Sequence, residues 1–506
     1  MDSALPPLIQ ALLAPACYAH PVSRVELIQT HISWVLLAGD FAYKIKKPVR
    51  LPFLDFSTLA QRKTSCQDEL RLNQRYAPDI YLNLVRITGT PQAPFLDGPG
   101  DPIEYTVKMR CFDEAGRLDR VCARGALQAA HLSDLADTLT TFHQAAAVAA
   151  PATRFGSPDA ILSAALENFD ELQQNAALAG LTQRLAALRA WTETQHKQLA
   201  PTLQARKQAG QVRECHGDLH LGNLVLIDGR VRLFDCIEFN EDLRWIDVAS
   251  DIAFTYVDLL AHRQSGLANW FVNEVFSRSG DYEAAALLRF YAVYRALVRA
   301  KVALIRVGQN GGGSSETLDY LALAERLAAA PAPQLLITHG LSGCGKTVAS
   351  SQLLQSDPQA STLRLRSDVE RKRLFGLAST APSGSPAGGG IYDADAQVRT
   401  YARLHALAAL LLRAGWSVIV DATFLKRAQR DAFRALATGL GLRFGILAPE
   451  ATPGQLQERI QARQAQGHDA SEATLPVLER QMRALEPLDA QEQTDMVNRS
   501  SATALL

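Results

Sequence analysis

Residues 340–347 read Gly340-Leu341-Ser342-Gly343-Cys344-Gly345-Lys346-Thr347, directly after the apolar run 335–338 and directly before a helical run over 348–354. A G-x-x-x-x-G-K-[ST] loop in that setting constrains the fold, because its glycines let successive N–H groups turn inward on phosphate oxygens only where a strand hands over to a helix. Lys346 then supplies charge for the β- and γ-phosphates, and the Thr347 hydroxyl is placed to hold Mg²⁺. The competing reading is an ordinary glycine-rich turn. Further apolar strands are expected at 363–365, 418–420 and 444–447, alternating with helices. That pattern is an α/β three-layer domain with a parallel sheet.

Two acids stand at the ends of other expected strands, on the side of a parallel sheet where ligands bind. Asp421 closes Ser417-Val418-Ile419-Val420-Asp421 and has the form of a carboxylate that orients Mg²⁺. Asp368 closes the strand through Arg366-Ser367 and is a candidate base for a substrate hydroxyl. Either acid can instead be a helix cap. Arg459 and Arg463, one turn apart on a late helix, are candidates for a lid over the transferring phosphoryl group, against the alternative of a solvated face.

With its loop, the Arg366-Ser367-Asp368 strand end followed by Arg371-Lys372-Arg373, and the Asp421-Ala422-Thr423 strand end, this half resembles the P-loop kinases grouped with polynucleotide kinase, zeta toxin and chloramphenicol phosphotransferase. The resemblance implies a P-loop NTPase fold and makes Asp368 the base toward the acceptor. It leaves the acceptor open.

A second signature lies upstream, in His216-Gly217-Asp218-Leu219-His220-Leu221-Gly222-Asn223 and the residues to Asp235. Asp218 and Asn223 have the D-x-x-x-x-N spacing in which the Asp takes a hydroxyl proton and the Asn binds a metal. Apolar runs 224–227 and 231–234 joined by Asp228-Gly229 predict a hairpin. The hairpin returns the chain so that Asp235 can lie beside Asn223 and share one Mg²⁺. His216 and His220 also have the spacing of a zinc pair, but Gly217 disfavours a helix and no third ligand is evident. A plain hairpin with incidental acids is the other alternative.

The H-G-D-x-H-x-x-N loop resembles the aminoglycoside phosphotransferase family of eukaryotic-like kinases, over about residues 20 to 310. The resemblance implies an α+β bilobal protein-kinase-like domain, with Asp247 and Asp251 bracing the loop. It also implies an upstream strand Lys paired with a helix Glu. Lys44 and Glu69 are the candidates, because 41–48 alternates like an edge strand with Lys44 and Lys46 on one face, and Glu69 lies within a helix expected over 57–76. A solvated, Lys-rich edge is the alternative. No G-x-G-x-x-G loop precedes the lysine strand, so the cover over a triphosphate falls to residues around 35–40. Asp235-Cys236-Ile237-Glu238 stands where protein kinases have D-F-G, and no A-P-E follows, which points away from a protein kinase.

The glycine-rich break at 308–315 and the Ala/Pro stretch 329–333 divide the chain into a kinase-like domain at 1–310, a linker at 311–333 carrying a helix, and a P-loop domain at 334–506. Lys+Arg and Asp+Glu both number 52, so no global field favours nucleic acid or a membrane surface. Locally, Arg364, Arg366, Arg371, Lys372 and Arg373 face only Asp368 and Glu370, which keeps a nucleic-acid-end acceptor in view, below a small hydroxylated one. Seven scattered cysteines without a C-x-x-C pair fit reduced thiols in a cytoplasm, and no 18-residue apolar run is present. The order of the two halves resembles bacterial bifunctional phosphotransferase/ATP-binding proteins. The expectation is a kinase with two sites for ATP and Mg²⁺; the alternative is one catalytic domain and one ATP-binding regulatory module.

Overall fold

A computed structural model of the protein describes residues 5–51, 54–310, 314–329, 331–386, 389–466 and 470–497. The chain forms two compact units: Met1–Leu127, Thr141–Ile161 and Thr202–Thr255 in the first, and Gln128–Thr140, Leu162–Pro201 and Tyr256–Leu506 in the second. No helix among the described residues is long and apolar enough to cross a membrane.

The first unit is built on a six-stranded antiparallel sheet. Its strand order is Val25–Gln29, Ser33–Ala38, Phe41–Lys46, Glu104–Arg110, Tyr81–Thr90, Ala93–Leu96. One face packs Trp34, Leu36, Tyr43, Ile45 and Ile87 against Ile9 and Leu12. The other carries the helix Leu59–Asn73, whose Cys66 packs with Tyr81, Tyr105 and Val107. That helix starts where a capping box can form: the Gln61 N–H donates to Thr58 Oγ1 at 3.3 Å, and the Thr58 N–H donates to Gln61 Oε1 at 3.0 Å.

The lysine strand corrects a sequence expectation. Phe41–Lys46 lies in the interior of the sheet, paired on both sides, and is not an edge. Its alternation separates two buried faces: Tyr43 and Ile45 enter the apolar core, while Lys44 and Lys46 turn to carboxylates beneath the helix. Sequence alternation alone reads such a charged face as solvated, because lysines are rarely buried unless paired.

The second unit contains four parallel strands in the order Thr362–Arg366, Ser417–Asp421, Gln334–Thr338, Arg443–Leu447, at the four expected places. The packing division does not follow the 311–333 segment. Helix Ser265–Ser279 lies on the outer strand, where the Thr362 and Arg364 N–H groups donate to Asn269 Oδ1 at 3.1 Å and Asn273 Oδ1 at 2.8 Å. Two helix asparagines thereby satisfy edge amides that would otherwise be open. Within 311–333, helix Ser315–Ala328 buries Tyr320, Leu321, Leu323 and Leu327, and Arg299 of helix Ala285–Asn310 donates to Tyr320 Oη at 3.1 Å. The expected linker is thus largely a packed helix; residues 311–313 and 330 fall outside the described residues.

Candidate functional sites

In the first unit the hairpin forms as the sequence predicts, Leu224–Ile227 against Arg230–Leu233, with Asp228 and Gly229 at φ 49° and 74° in the turn. Both central residues lie in the left-handed region, the requirement of the tight hairpin turn that Asp-Gly signals. The register continues one step further, because the Phe234 N–H donates to Asn223 O at 3.1 Å, which carries Asp235 back to the start of the hairpin. Asn223 is buried, and its Nδ2 donates to the Asp218 carbonyl at 2.9 Å and to Asp218 Oδ2 at 3.1 Å. Asp235 adopts φ 62°, and its N–H donates to Tyr81 Oη at 2.9 Å.

Lys44 Nζ lies 2.7 Å from Glu69 Oε1 and 2.5 Å from Asp235 Oδ1. The ladder then continues beyond the expected pair. Lys46 Nζ lies 2.5 Å from the other Glu69 oxygen and also pairs with Glu238, which accepts from Ser65 Oγ at 3.3 Å. Lys46 and Glu69 are fully buried. The two ammonium groups hold Glu69 below the usual carboxylate range, and Lys44 does the same for Asp235, both against the opposing effect of burial; burial pushes Glu238 up. Lys46 and Glu238 were missed as site residues. Period-two alternation hints at Lys46, but no local signal marks Glu238.

The loop before Asp218 is fixed by buried acids. The His216 and Gly217 N–H groups donate to Asp251 at 3.3 and 2.9 Å, and His143 Nε2 donates to Asp251 at 3.0 Å. Asp247 is held by Arg206 through two bonds of 2.8 and 2.9 Å. Gly217 sits at φ 85°, and a Cβ there would come 2.5 Å from the Leu243 carbonyl oxygen, so only glycine fits. His216 donates from Nε2 to Phe234 O at 2.9 Å and accepts at Nδ1 from the Asp218 N–H at 3.3 Å; His220 Nδ1 accepts from the Gly222 N–H at 3.0 Å. These histidines are occupied as braces of the loop. Burial lowers His216 from its ordinary value, as suits a neutral ring accepting at one nitrogen.

In the second unit, one cavity of about 500 Å³ is lined by Lys346, Thr347, Asp368, Asp421, Arg459 and Arg463, together with Ser342, Gly343 and Gly345. Gly340, Gly343 and Gly345 take φ of 128°, 87° and 100°, the conformations that let the loop turn its amides inward. Lys346 Nζ donates to the Gly340 and Leu341 carbonyls at 2.9 and 2.7 Å and contacts Cys344 Sγ at 3.7 Å. The Ser342 N–H donates to Gln481 Oε1 at 2.8 Å, and Arg459 donates to Gly343 O at 3.2 Å. Asp421 accepts from Ser350 Oγ at 3.4 Å. Asp368 is not a cap: the helix Ser367–Leu374 has Arg366 at its N-cap, and Asp368 accepts from Arg371 at 2.7 Å.

Of the basic run around Asp368, Arg364, Lys372 and Arg373 are paired within the fold, while Arg366 and Arg371 line the cavity. Arg364 is buried and donates to Ser350 and Ser351 Oγ, Lys372 pairs with Glu472 at 2.9 Å, and Arg373 pairs with Glu370. Glu472 also accepts from the Ser383 N–H at 2.8 Å, at the start of the glycine- and proline-rich segment 382–390. Residues 387–388 of that segment lie outside the described residues.

Residues 115–288 match the phosphotransferase enzyme family and residues 335–488 match a family described as AAA domain. The chain joins a phosphotransferase-family segment to an AAA domain. The catalytic-loop candidates Asp218, Asn223 and Asp235 lie inside the phosphotransferase match, Lys44 and Glu69 lie before it, and the whole glycine-rich loop lies inside the AAA match. Uncharacterized proteins of Mycobacterium tuberculosis and Mycobacterium bovis are 29% identical over 459 residues, 90% of this chain and 90% of theirs. Among solved structures, a choline/ethanolamine kinase family protein from Mesorhizobium loti is 13% identical, covering 64% of this chain and 94% of its own, with a TM-score of 0.39. An amicoumacin kinase in complex with AMP-PNP, Ca²⁺ and Ami is 11% identical, covering 63% and 92%, with a TM-score of 0.41. A sugar kinase from Janibacter is 17% identical, covering 34% and 91%, with a TM-score of 0.26.

Proposed function

We propose that the protein is an ATP-dependent kinase with two nucleotide sites, each passing the γ-phosphoryl group to the hydroxyl of a small molecule, the kinase-like domain preceding residues 311–333 in the chain and the P-loop domain following them. The observation that carries the reading is the chain of ion pairs from buried Glu69 through buried Lys44 to the half-exposed Asp235, beside the Asp218 and Asn223 pair. A lysine held between a helix glutamate and a candidate metal carboxylate suits phosphate binding, since an incoming triphosphate can take over the ammonium from Asp235. Asn223 and Asp235 offer hard oxygen donors, the set that fits Mg²⁺, which when bound neutralises charge on the phosphates. Asp218 is the base toward the acceptor, oriented by Asn223.

In the second cavity the assignment runs in parallel. Gly340, Ser342, Gly343, Cys344 and Gly345 form the cradle, Lys346 meets the β- and γ-phosphates, Thr347 and Asp421 suit Mg²⁺, and Asp368 takes the hydroxyl proton. Arg459 and Arg463 line the same cavity and are the candidates to meet charge on the transferring group. The internal pairing of Lys372, Arg373 and Arg364 favours a small acceptor over a nucleic-acid end.

The test is labelled γ-phosphate transfer to a cell extract by the full chain. Asp218→Asn and Lys346→Ala should each remove their own set of labelled products, with Asp218→Asn lowering turnover by about 10²- to 10⁴-fold while sparing nucleotide binding. Unchanged products with Asp218→Asn would exclude the first site from catalysis; ATP binding without transfer there would make it a regulatory module.

A further inference from the structure

His220 sits at the N-cap of the 3-10 turn Leu221–Asn223, where its ring accepts the Gly222 N–H at Nδ1, 3.0 Å away. A cap of this kind asks for one acceptor close to the backbone, and Ser, Asp or Asn supplies it with a shorter side chain. Capping therefore leaves the second ring nitrogen unexplained. Nε2 lies 3.4 Å from Asp218 Oδ2, the same oxygen that accepts from Asn223 Nδ2 at 3.1 Å. An acceptor at Nδ1 leaves the ring proton on Nε2, facing the carboxylate.

The surroundings fix that orientation. Phe254 lies against the imidazole with ring centroids 5.9 Å apart and planes inclined at 52°. A Cβ on Gly222 would come within 2.8 Å of His220 Cε1 and 2.9 Å of Nδ1, so glycine at that position makes room for the ring. The backbone between the two side chains is held as well: the His220 N–H donates to the Asp218 carbonyl at 2.9 Å, and Thr255 Oγ1 donates to the Leu219 carbonyl at 2.6 Å. The His220 side chain is 16% exposed against 35% for Asp218, so the imidazole is the more enclosed partner of a carboxylate that still opens to solvent.

We infer that His220 is a positioning residue of the first site, whose Nε2–H holds the Asp218 carboxylate in the plane from which it takes the acceptor proton. The inference rests on the reading of Asp218 as the base and adds a residue to it. Asn223 is also a candidate metal ligand, so its hold on Asp218 is shared with the cation, whereas His220 supplies a second hold that does not depend on one. At 3.4 Å the contact is long, as hydrogen bonds of catalytic groups often are until a substrate closes on them. In the transfer, the acceptor O–H proton passes to Asp218, the acceptor oxygen bonds to the γ-phosphorus, and the bond from that phosphorus to the bridging oxygen breaks with its electron pair leaving on ADP. His220 neither gains nor loses a proton; it acts through Asp218.

Two substitutions separate the ring's two nitrogens. His220→Asn keeps an acceptor for the Gly222 N–H and removes Nε2, while His220→Gln carries an amide N–H to the Nε2 position and gives up the cap. The full chain with each change is assayed for labelled γ-phosphate transfer to a cell extract over a range of magnesium ATP concentrations, counting the products that Asp218→Asn removes, alongside thermal unfolding. His220→Asn should lower the maximal rate by about 10- to 100-fold, with KM for ATP within about twofold and a melting midpoint within about 2 °C of the wild type. His220→Gln should melt lower yet transfer at least about threefold faster than His220→Asn. A His220→Asn chain at the wild-type rate, or a His220→Gln chain as slow as His220→Asn, overturns the inference, because a cap alone makes rate follow stability. In the wild type, nitrogen-15 imidazole spectra with His220 assigned through its own backbone resonances should show an Nε2–H ring whose signals shift in Asp218→Asn. An Nδ1–H ring, or signals that do not move, overturns the inference even where a His220 variant fails to fold. Products that persist in Asp218→Asn are a separate failure, of the base reading itself.

Discussion

Replacing Lys46 by Met tests whether the buried charges under the Glu69 helix act as one ladder. The methionine keeps the volume and removes the charge, leaving Glu238 without its ammonium and Glu69 with Lys44 alone. Breaking a buried ion pair from one side costs about 3 to 5 kcal/mol, and the surviving Lys44 contact places Lys46→Met near the lower end. Glu238→Gln leaves Lys46 still paired with Glu69 and keeps a polar atom for Ser65, so its cost is about 1 to 3 kcal/mol. The double variant leaves no orphaned charge, and the two costs should fall short of adding by about 1 to 3 kcal/mol. The assay is calorimetric melting of the full chain, following the transition of the first unit. At about 2 to 4 °C per kcal/mol for a unit of this size, Lys46→Met should lower the midpoint by about 6 to 12 °C. Strict additivity of the two singles, or a drop under about 2 °C for Lys46→Met, would refute the ladder.

Two further outcomes follow from the geometry. In the second unit, Gln481→Ala frees the Ser342 N–H from its present acceptor, so nucleotide affinity measured by titration with magnesium AMP-PNP should tighten, by up to about tenfold on the worth of one hydrogen bond; weaker binding would instead make Gln481 a nucleotide contact. In the first unit, His216 is held neutral below its ordinary 6.5, so stability should be full above that pH and fall as acidification protonates the unfolded chain first. Asp235, Asp251 and Glu69, all held below their ordinary values, add a second loss at lower pH that the raised Glu238 partly opposes. Midpoints of thermal unfolding that stay flat from pH 7 to pH 5 would contradict this order.

Local chemistry was legible in the sequence because it is encoded by neighbours. The strand, loop and helix around Gly340 to Thr347 and the hairpin at Asp228-Gly229 each follow from residues a few positions apart, where backbone conformation and apolar period decide the outcome. The pairing of Lys44 with Glu69 was legible only through resemblance, since nothing in the 24 residues between them specifies that contact.

Tertiary structure alone decided what distant segments do to one another. It made the lysine strand an interior one by pairing it on both sides, and it completed the ladder with Glu238, whose sequence neighbourhood carries no mark of burial beside a lysine. It also set helix Ser265–Ser279 on the second sheet, because open amides at Thr362 and Arg364 could be met by Asn269 and Asn273, whereas a boundary read from glycine content follows chain flexibility and cannot see which edge needs a donor's partner. Sequence determines the elements; desolvation and ion pairing in the folded chain determine which charges come together.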